Sequence, residues 1–323
     1  MRTVQRFIST GSAVLVAIVG SGATFLGTTV PAAASLPVAP AVPTQTRAAG
    51  PPVILGVGNH NIPERLAILG HQDAQPPATG TRTGQLGASQ IDQSEHQLGT
   101  HLALSREYGQ WNHRIPVTPD HTPVLSMNTG PVRWAAVASG NQDAEIRRQA
   151  AQVKAINRIV YLAFQHEPEH DPNGTPAEYI AAWHHYVNVF AAAGVRNVRW
   201  TWIVTANGFY SDKALPYYPG DSIVQVVGAD GYNWAGSHGS TRYRTFEQVF
   251  AGEHAFAVAH GKPMIVAEFG MVAGPNRAQW LEEATATLRS WPNVAAELYW
   301  NQAEFAITSN AVGPLCAMNA AAH

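Results

Sequence analysis

What most constrains this chain is an alternation. Eight short apolar runs with strand character, at residues 53–58, 102–106, 123–127, 159–165, 198–204, 223–229, 263–267 and 294–299, are separated by helix-like or loop-like stretches. Strands that alternate with helical patterns argue for a parallel sheet covered by helices. The clearest helix start is Thr175-Pro176-Ala177-Glu178, a capping box with proline at the first helical position. Beyond it Ile180, Trp183, Val187 and Phe190 share one face, and Gly194 ends the helix. A second helix is predicted after Asn141, with Ile146, Ala150 and Val153 on one side. Residues 64–100 are rich in Pro, Gly, Gln and Thr and read as a long loop plus one helix near 89–98.

Eight such repeats over this length fit a single (β/α)8 TIM barrel of the α/β class. A doubly wound open sheet is the competing architecture, because a sequence does not display closure. The polar residues after the runs favour the barrel. Asn59 and His60, Tyr108 and Trp111, Asn128, His166 and Glu167, Asp230 and Tyr232, Glu268, and Trp300 with Asn301 follow successive strands. In a barrel they converge on one mouth; in an open sheet they spread along an edge.

The organisation around that domain is simple. Residues 1–34 have the form of a secretory signal: Arg2 and Arg6, an apolar stretch at 13–26, and Ala32-Ala33-Ala34 as a small-residue cleavage site. Gly20, Ser21, Gly22, Gly27, Thr28 and Thr29 dilute the stretch, which argues against an uncleaved membrane anchor. Residues 35–51 read as a Pro/Ala-rich linker, and 52–323 as the catalytic domain. The expected product is a secreted, extracellular monomer with no membrane partner after cleavage. With 46% hydrophobic residues, 13% charged and a net charge of -2, the chain can bury a large core and lacks the basic surface that nucleic acid requires. Cys316 is its single cysteine, so neither an intrachain disulfide nor a cysteine zinc cluster is available.

Two glutamates carry the chemistry. Glu167 ends the run at 159–165 with its Gln165-His166-Glu167 extension, and Glu268 ends that at 263–267. A carboxylate at the mouth of a buried strand is costly to desolvate and is seldom there for packing. Either one alone could be a salt-bridged strand end. Together, on strands four and seven, they face each other across a barrel mouth, as glycoside hydrolysis requires; retaining enzymes hold the two carboxyls about 5 Å apart. Trp200, Trp202, Tyr232, Trp234, Tyr299 and Trp300 add ring faces on which sugars stack, although Trp200 and Trp202 alternate as ordinary packing residues also would.

The ordered motifs His166-Glu167, Gly228-Ala229-Asp230-Gly231-Tyr232 and Ala267-Glu268-Phe269-Gly270, with Tyr217-Tyr218-Pro219-Gly220-Asp221 and an aromatic last strand, resemble glycoside hydrolase family 26. The resemblance covers about residues 100–302. It implies a secreted, cofactor-free and metal-free retaining (β/α)8 enzyme acting on β-linked polysaccharide, most often β-mannan. By motif, Glu167 would be the acid/base and Glu268 the nucleophile. His166 would contact the sugar, Tyr232 would hydrogen-bond the nucleophile, and Trp300 would floor the subsite next to the cut bond. Asp230, Trp202 and Trp234 complete the expected substrate-binding set.

Two departures concern substrate. Mannanases of the family continue His-Glu with Met-Asn-Gly and a tryptophan, where this chain has Pro168-Glu169-His170-Asp171-Pro172; they carry Trp-His at the end of strand three, where it has Met127-Asn128. Mannan is therefore the first expectation, with mixed-linkage β-glucan and β-1,3-xylan open. Two other function classes compete. His166-Glu167-Pro168-Glu169-His170 spells the H-E-x-x-H zinc-protease pattern, which needs a helix that Pro168 would disfavour by about 3 kcal/mol. A barrel that has lost catalysis and only binds polysaccharide is the other. Glu169 is expected in a solvated loop, and His101, His185 and His254 receive no role.

Overall fold

The computed structural model describes residues 66–68, 86–170, 173–237 and 239–321, all within one compact unit spanning 59–323. The predicted first strand at 53–58, with Asn59 and His60, lies outside the described residues, as do the signal and linker segments. The first described strand is instead β1, Leu66–Ile68, in a stretch read from sequence as loop. It is followed by α1, Leu86–Leu98, close to the helix expected there.

The remaining strands are β2 (Leu104–Gln110), β3 (Thr122–Asn128), β4 (Val160–Phe164), β5 (Val198–Thr205), β6 (Val226–Asn233), β7 (Met264–Met271) and β8 (Val294–Tyr299). All pair in parallel, in the order β1-β8-β7-β6-β5-β4-β3-β2. Because β1 also lies beside β2, the two ends of the sheet meet and it curls into a (β/α)8 barrel. Strands β3 to β8 coincide with predicted runs to within a few residues. The strict strand-helix repeat does not hold: β2 runs to β3 through a loop at 111–121, while α2 (Trp134–Ala138) and α3 (Asp143–Ala155) both lie between β3 and β4.

The best-signalled helix, α4 (Pro176–Ala192), has the cap its sequence specifies. Thr175 Oγ1 accepts from the Glu178 amide at 3.3 Å, and Glu178 Oε2 accepts from the Thr175 amide at 2.7 Å. Gly194, at φ +71°, takes the left-handed turn that ends it. Its buried face is Tyr179, Ala182, Trp183, Tyr186, Val189 and Phe190. Ile180 and Val187 are only half-buried, so the face is rotated from the expected one toward the aromatic residues. In α3, Ile146, Ala150 and Val153 are buried as expected. Three more helices, α5 (Ala206–Tyr210), α6 (Phe246–Ala259) and α7 (Arg277–Ser290), follow β5, β6 and β7, and α8 (Ser309–Ala321) closes the described chain. No helix among the described residues is long and apolar enough to cross a membrane.

The core has two compartments. Outside the sheet, rings of the helices pack on outward strand residues, as Trp200 does on Trp183, Tyr186 and Phe190. Inside it, the carboxyl-end half of the lumen is polar, and there the strand ends converge.

Candidate active site

A buried arginine organises the mouth. Arg106, in the middle of β2, is 1% exposed and donates to Ser126 Oγ at 2.8 Å and to the Val124 carbonyl at 3.3 Å, both on β3. Its Nη2 approaches Glu268 Oε1 of β7 at 3.4 Å and Asp230 Oδ2 of β6 at 3.9 Å. Burial works against its charge, but Tyr108, Asp230 and Glu268 around it hold its pKa above the ordinary value. A lone buried cation would be strongly disfavoured, so these acidic neighbours are the condition for its being there.

Glu268 is 7% exposed, and its oxygens meet three donor groups. The phenol of Tyr108 donates to Oε1, the phenol of Tyr232 to Oε2, and Arg106 stands beside Oε1. Burial pushes both phenols well above the usual tyrosine range, so they remain donors at any physiological pH. A register shift places Glu268 here. Ala229 of β6 pairs with Val266, but the next residue, Asp230, pairs with Glu268, so Ala267 is extra. Such a bulge re-aims a side chain that strict alternation would have sent to the other face. Between the inward Asp230 and Tyr232, Gly231 points outward; a Cβ there would come within 2.7 Å of Val249 and 2.8 Å of Phe250 on α6.

Glu167 lies on the turn that leaves β4. The chain takes left-handed conformations at Gln165, φ 49°, and at Glu167, φ 47°. Such conformations cost a non-glycine residue about 1–3 kcal/mol and persist where surrounding structure enforces them. The Gln165 amide donates to the Met127 carbonyl of β3 at 2.8 Å, and the Glu167 amide to the Ile203 carbonyl of β5 at 2.9 Å. Burial, then the charges of Glu268 and Glu169, push the Glu167 carboxyl up to about 8, against the opposing pull of Arg106. A carboxyl raised this far favours keeping its proton at neutral pH, and it lies near enough to Glu268 to feel that charge. His166 is pushed down to about 3, by burial and by Arg106, and is a neutral ring; it stands edge-on to Tyr108 with centroids 5.2 Å apart.

Several sequence expectations change here. Trp202 is 0% exposed and packs outside the sheet on Phe209, Tyr218 and Phe256, so it cannot floor a sugar site. Asp230 is enclosed beside Arg106 with a side chain 1% exposed, which places it behind Glu268 rather than against substrate. Burial and the Glu268 charge raise its pKa well above the usual value. Glu169 is not a solvated loop residue. Its Oε1 accepts from the Thr205 amide at 2.7 Å and from Thr205 Oγ1 at 2.8 Å, tying the β4 turn to the end of β5. Tyr232, Trp234 and Trp300 do gather at the mouth: Trp234 lies 5.8 Å and Trp300 6.3 Å from the Tyr232 ring, and Trp234 is 36% exposed. The H-E-x-x-H segment is no helix; 168–170 form a turn and His170 points to solvent, so the two histidines do not form a metal pair.

Ligand atoms of His166, Asp230 and Glu268 lie within 4.8 Å of one another, a spacing that could hold a cation. The Arg106 guanidinium already supplies positive charge against both carboxylates there. The arrangement thus offers a protonated carboxyl, a second carboxyl clamped by two phenols and a guanidinium, and exposed aromatic surface above them. Two carboxyl groups in such contrasting surroundings are what acid-assisted displacement at a glycosidic bond requires.

Residues 171–290 match the family model described as glycosyl hydrolase family 26. Endoglucanase H of Acetivibrio thermocellus is 32% identical over 181 residues, which is 51% of this chain and 20% of that protein; the chain thus spans a fifth of the length of this curated relative. Among solved structures, the catalytic domain of the family-26 endo-β-1,4-mannanase of Bacillus sp. JAMB-750 superposes with a TM-score of 0.54 at 19% identity, covering 76% of this chain and 79% of that one. A Cellulomonas fimi endo-β-1,4-mannanase double mutant gives 0.56 at 20% identity, covering 80% and 70%. The chain resembles family 26, and the structural likenesses place its fold among those barrels.

Proposed function

We propose that this chain is an endo-acting, retaining glycoside hydrolase of a β-linked polysaccharide, with Glu167 as acid/base and Glu268 as nucleophile. The observation that carries the reading is the contrast between the two carboxyls: Glu167 is held protonated to about 8, while Glu268 is surrounded by donors. In the first step Glu167 gives its proton to the glycosidic oxygen as Glu268 attacks the anomeric carbon; the C–O bond breaks and a glycosyl-enzyme ester forms. In the second, Glu167, now a carboxylate, takes a proton from water as the water attacks the same carbon and releases Glu268. His166, Tyr232, Trp234 and Trp300 line the approach, with the two tryptophans as stacking surfaces. Residues 1–34 direct export, and the mature chain begins near Ser35.

β-Mannan is the first substrate on this reading. Mixed-linkage β-glucan is the second, favoured by the likeness to an endoglucanase and by Met127-Asn128 in place of the mannanase Trp-His.

Reducing-end release from mannan, mixed-linkage glucan and β-1,3-xylan separates the substrates. Proton NMR of the first product should show retained anomeric configuration. Glu167→Ala should lose polysaccharide hydrolysis but keep much of its activity on an aryl glycoside with an acidic phenol, whereas Glu268→Ala should lose both. Binding without reducing ends on all three glycans would make this a polysaccharide-binding barrel instead, and inverted product would remove the nucleophile role.

A further inference from the structure

At the opposite end of the barrel, where strands begin, three side chains from separate segments converge. Glu95 lies in the last turn of α1, His101 between α1 and β2, and His121 one residue before β3 begins. His101 Nδ1 is 2.7 Å and His121 Nε2 3.1 Å from the same oxygen, Glu95 Oε1, and the three ligand atoms all lie within 4.8 Å of one another. Nothing in the proposed hydrolytic reaction uses them.

The orientation of His121 is specific. Its Nδ1 lies 2.6 Å from the Pro119 carbonyl, a contact in which the ring nitrogen must donate. In the neutral ring that leaves Nε2 with its lone pair pointing at a carboxylate oxygen, acceptor against acceptor. A second proton on the ring or a metal ion between the two resolves the opposition, and the exposed His101 ring beside them supplies the further nitrogen that a metal ion would use. A ring N–H given to a backbone carbonyl is also how metal-binding histidines are commonly held in one tautomer and orientation. Glu95 Oε1 also accepts from the Leu102 amide at 2.7 Å, which fixes the carboxyl where the two rings meet it. Tetrahedral zinc with bonds of about 2.0–2.1 Å sets its ligand atoms about 3.3 Å apart, so the His121 nitrogen, at 3.1 Å from Glu95 Oε1, is nearly in place and the His101 nitrogen, at 2.7 Å, would move outward to admit the ion. The His121 side chain is 5% exposed, whereas that of His101 is 60% exposed and within reach of an ion arriving from solvent.

We propose that Glu95, His101 and His121 form a binding site for one zinc ion, with water in the fourth position, which ties α1 to the entrances of β2 and β3. Two nitrogens and one carboxylate oxygen suit zinc among the divalent ions. The proposal does not depend on the hydrolytic activity.

Calorimetric titration of chelator-stripped full-length protein with zinc chloride should show one site per chain. His101→Ala and His121→Ala should each weaken it by at least about tenfold, the least that loss of a supporting group costs such sites. Zinc should raise the melting temperature of the wild type and not of either variant, since only an ion that binds the folded state stabilises it. His101→Ala removes an exposed side chain and serves as the variant whose fold is secure. Glu268→Ala should still take up one zinc, which distinguishes this site from the His166, Asp230 and Glu268 group at the mouth. No uptake, or uptake undiminished in both histidine variants, would overturn the assignment.

Discussion

Burial and the charges of Glu268 and Glu169 push the Glu167 carboxyl up to about 8 from an ordinary 4.5, and both activity and stability should register it. The acid must carry its proton, so kcat/KM on polysaccharide should fall as pH rises through about 8, the base-side limb of the profile. For stability, a carboxyl whose folded pKa is raised contributes stability that is complete below its unfolded value and is lost as pH rises through the folded one. Glu167→Gln, which is neutral throughout, should therefore melt higher than wild type by a margin that widens between about pH 4.5 and 8. A margin that stays constant over that window would mean that Glu167 is not held protonated. Glu169 adds to the upward push on Glu167 and anchors Thr205. Glu169→Gln can keep both anchoring contacts through its amide oxygen. It should retain at least about a tenth of wild-type turnover, a loss under about 1.4 kcal/mol, and shift the alkaline limb downward. The two glutamates at strand ends were visible in the sequence, because a charge ending an apolar run has few structural reasons to be there. The bracketing role of Glu169 was not, since its partner Thr205 lies on the next strand and no local pattern marks it.

At the scale of elements, the same alternation that reveals a strand hides which face looks inward. Trp200 and Trp202 share a face of β5, and that face turns toward the helices, Trp200 onto α4 and Trp202 onto Phe209 of α5 and Phe256 of α6. Trp202→Ala should therefore destabilise the barrel by about 3–5 kcal/mol, as the loss of a buried large ring does, while KM on polysaccharide stays near the wild-type value. Denaturant melts beside steady-state kinetics would check this, and a stable variant with greatly raised KM would return Trp202 to the sugar site. The helix start at Thr175 was legible because capping is local chemistry, with donor and acceptor within four residues. The bulge at Ala267, the loop between β2 and β3 and the strand at Leu66–Ile68 were not legible. The first depends on the register against β6, and the last is a three-residue strand whose short Leu-Ala-Ile run, set in a stretch rich in Pro, Gly and Gln, is marked as a strand only by its pairing with β8.

For the molecule as a whole, Arg106 is a group whose surroundings depend on the barrel being closed. From β2 it reaches β3 through Ser126, β6 through Asp230 and β7 through Glu268, so strands distant in sequence share one charge. The predicted run at 102–106 stops at Arg106, whereas β2 continues to Gln110; only closure supplies the acidic neighbours that make the burial of Arg106 tolerable. Arg106→Met keeps much of the side-chain volume and removes the cation, leaving two carboxyls in enclosed space without their counter-charge. Breaking a buried pair from one side costs about 3–5 kcal/mol, and the nucleophile would lose an orienting neighbour as well. Asp230→Asn is the informative comparison. Burial and the nearby Glu268 charge already push Asp230 toward its neutral form, and an amide reproduces that form closely. It should cost much less stability than Arg106→Met in urea denaturation at pH 7. Were Asp230→Asn the more damaging of the two, the ionised Asp230 would be the organising charge of the mouth, and Arg106 its dependent.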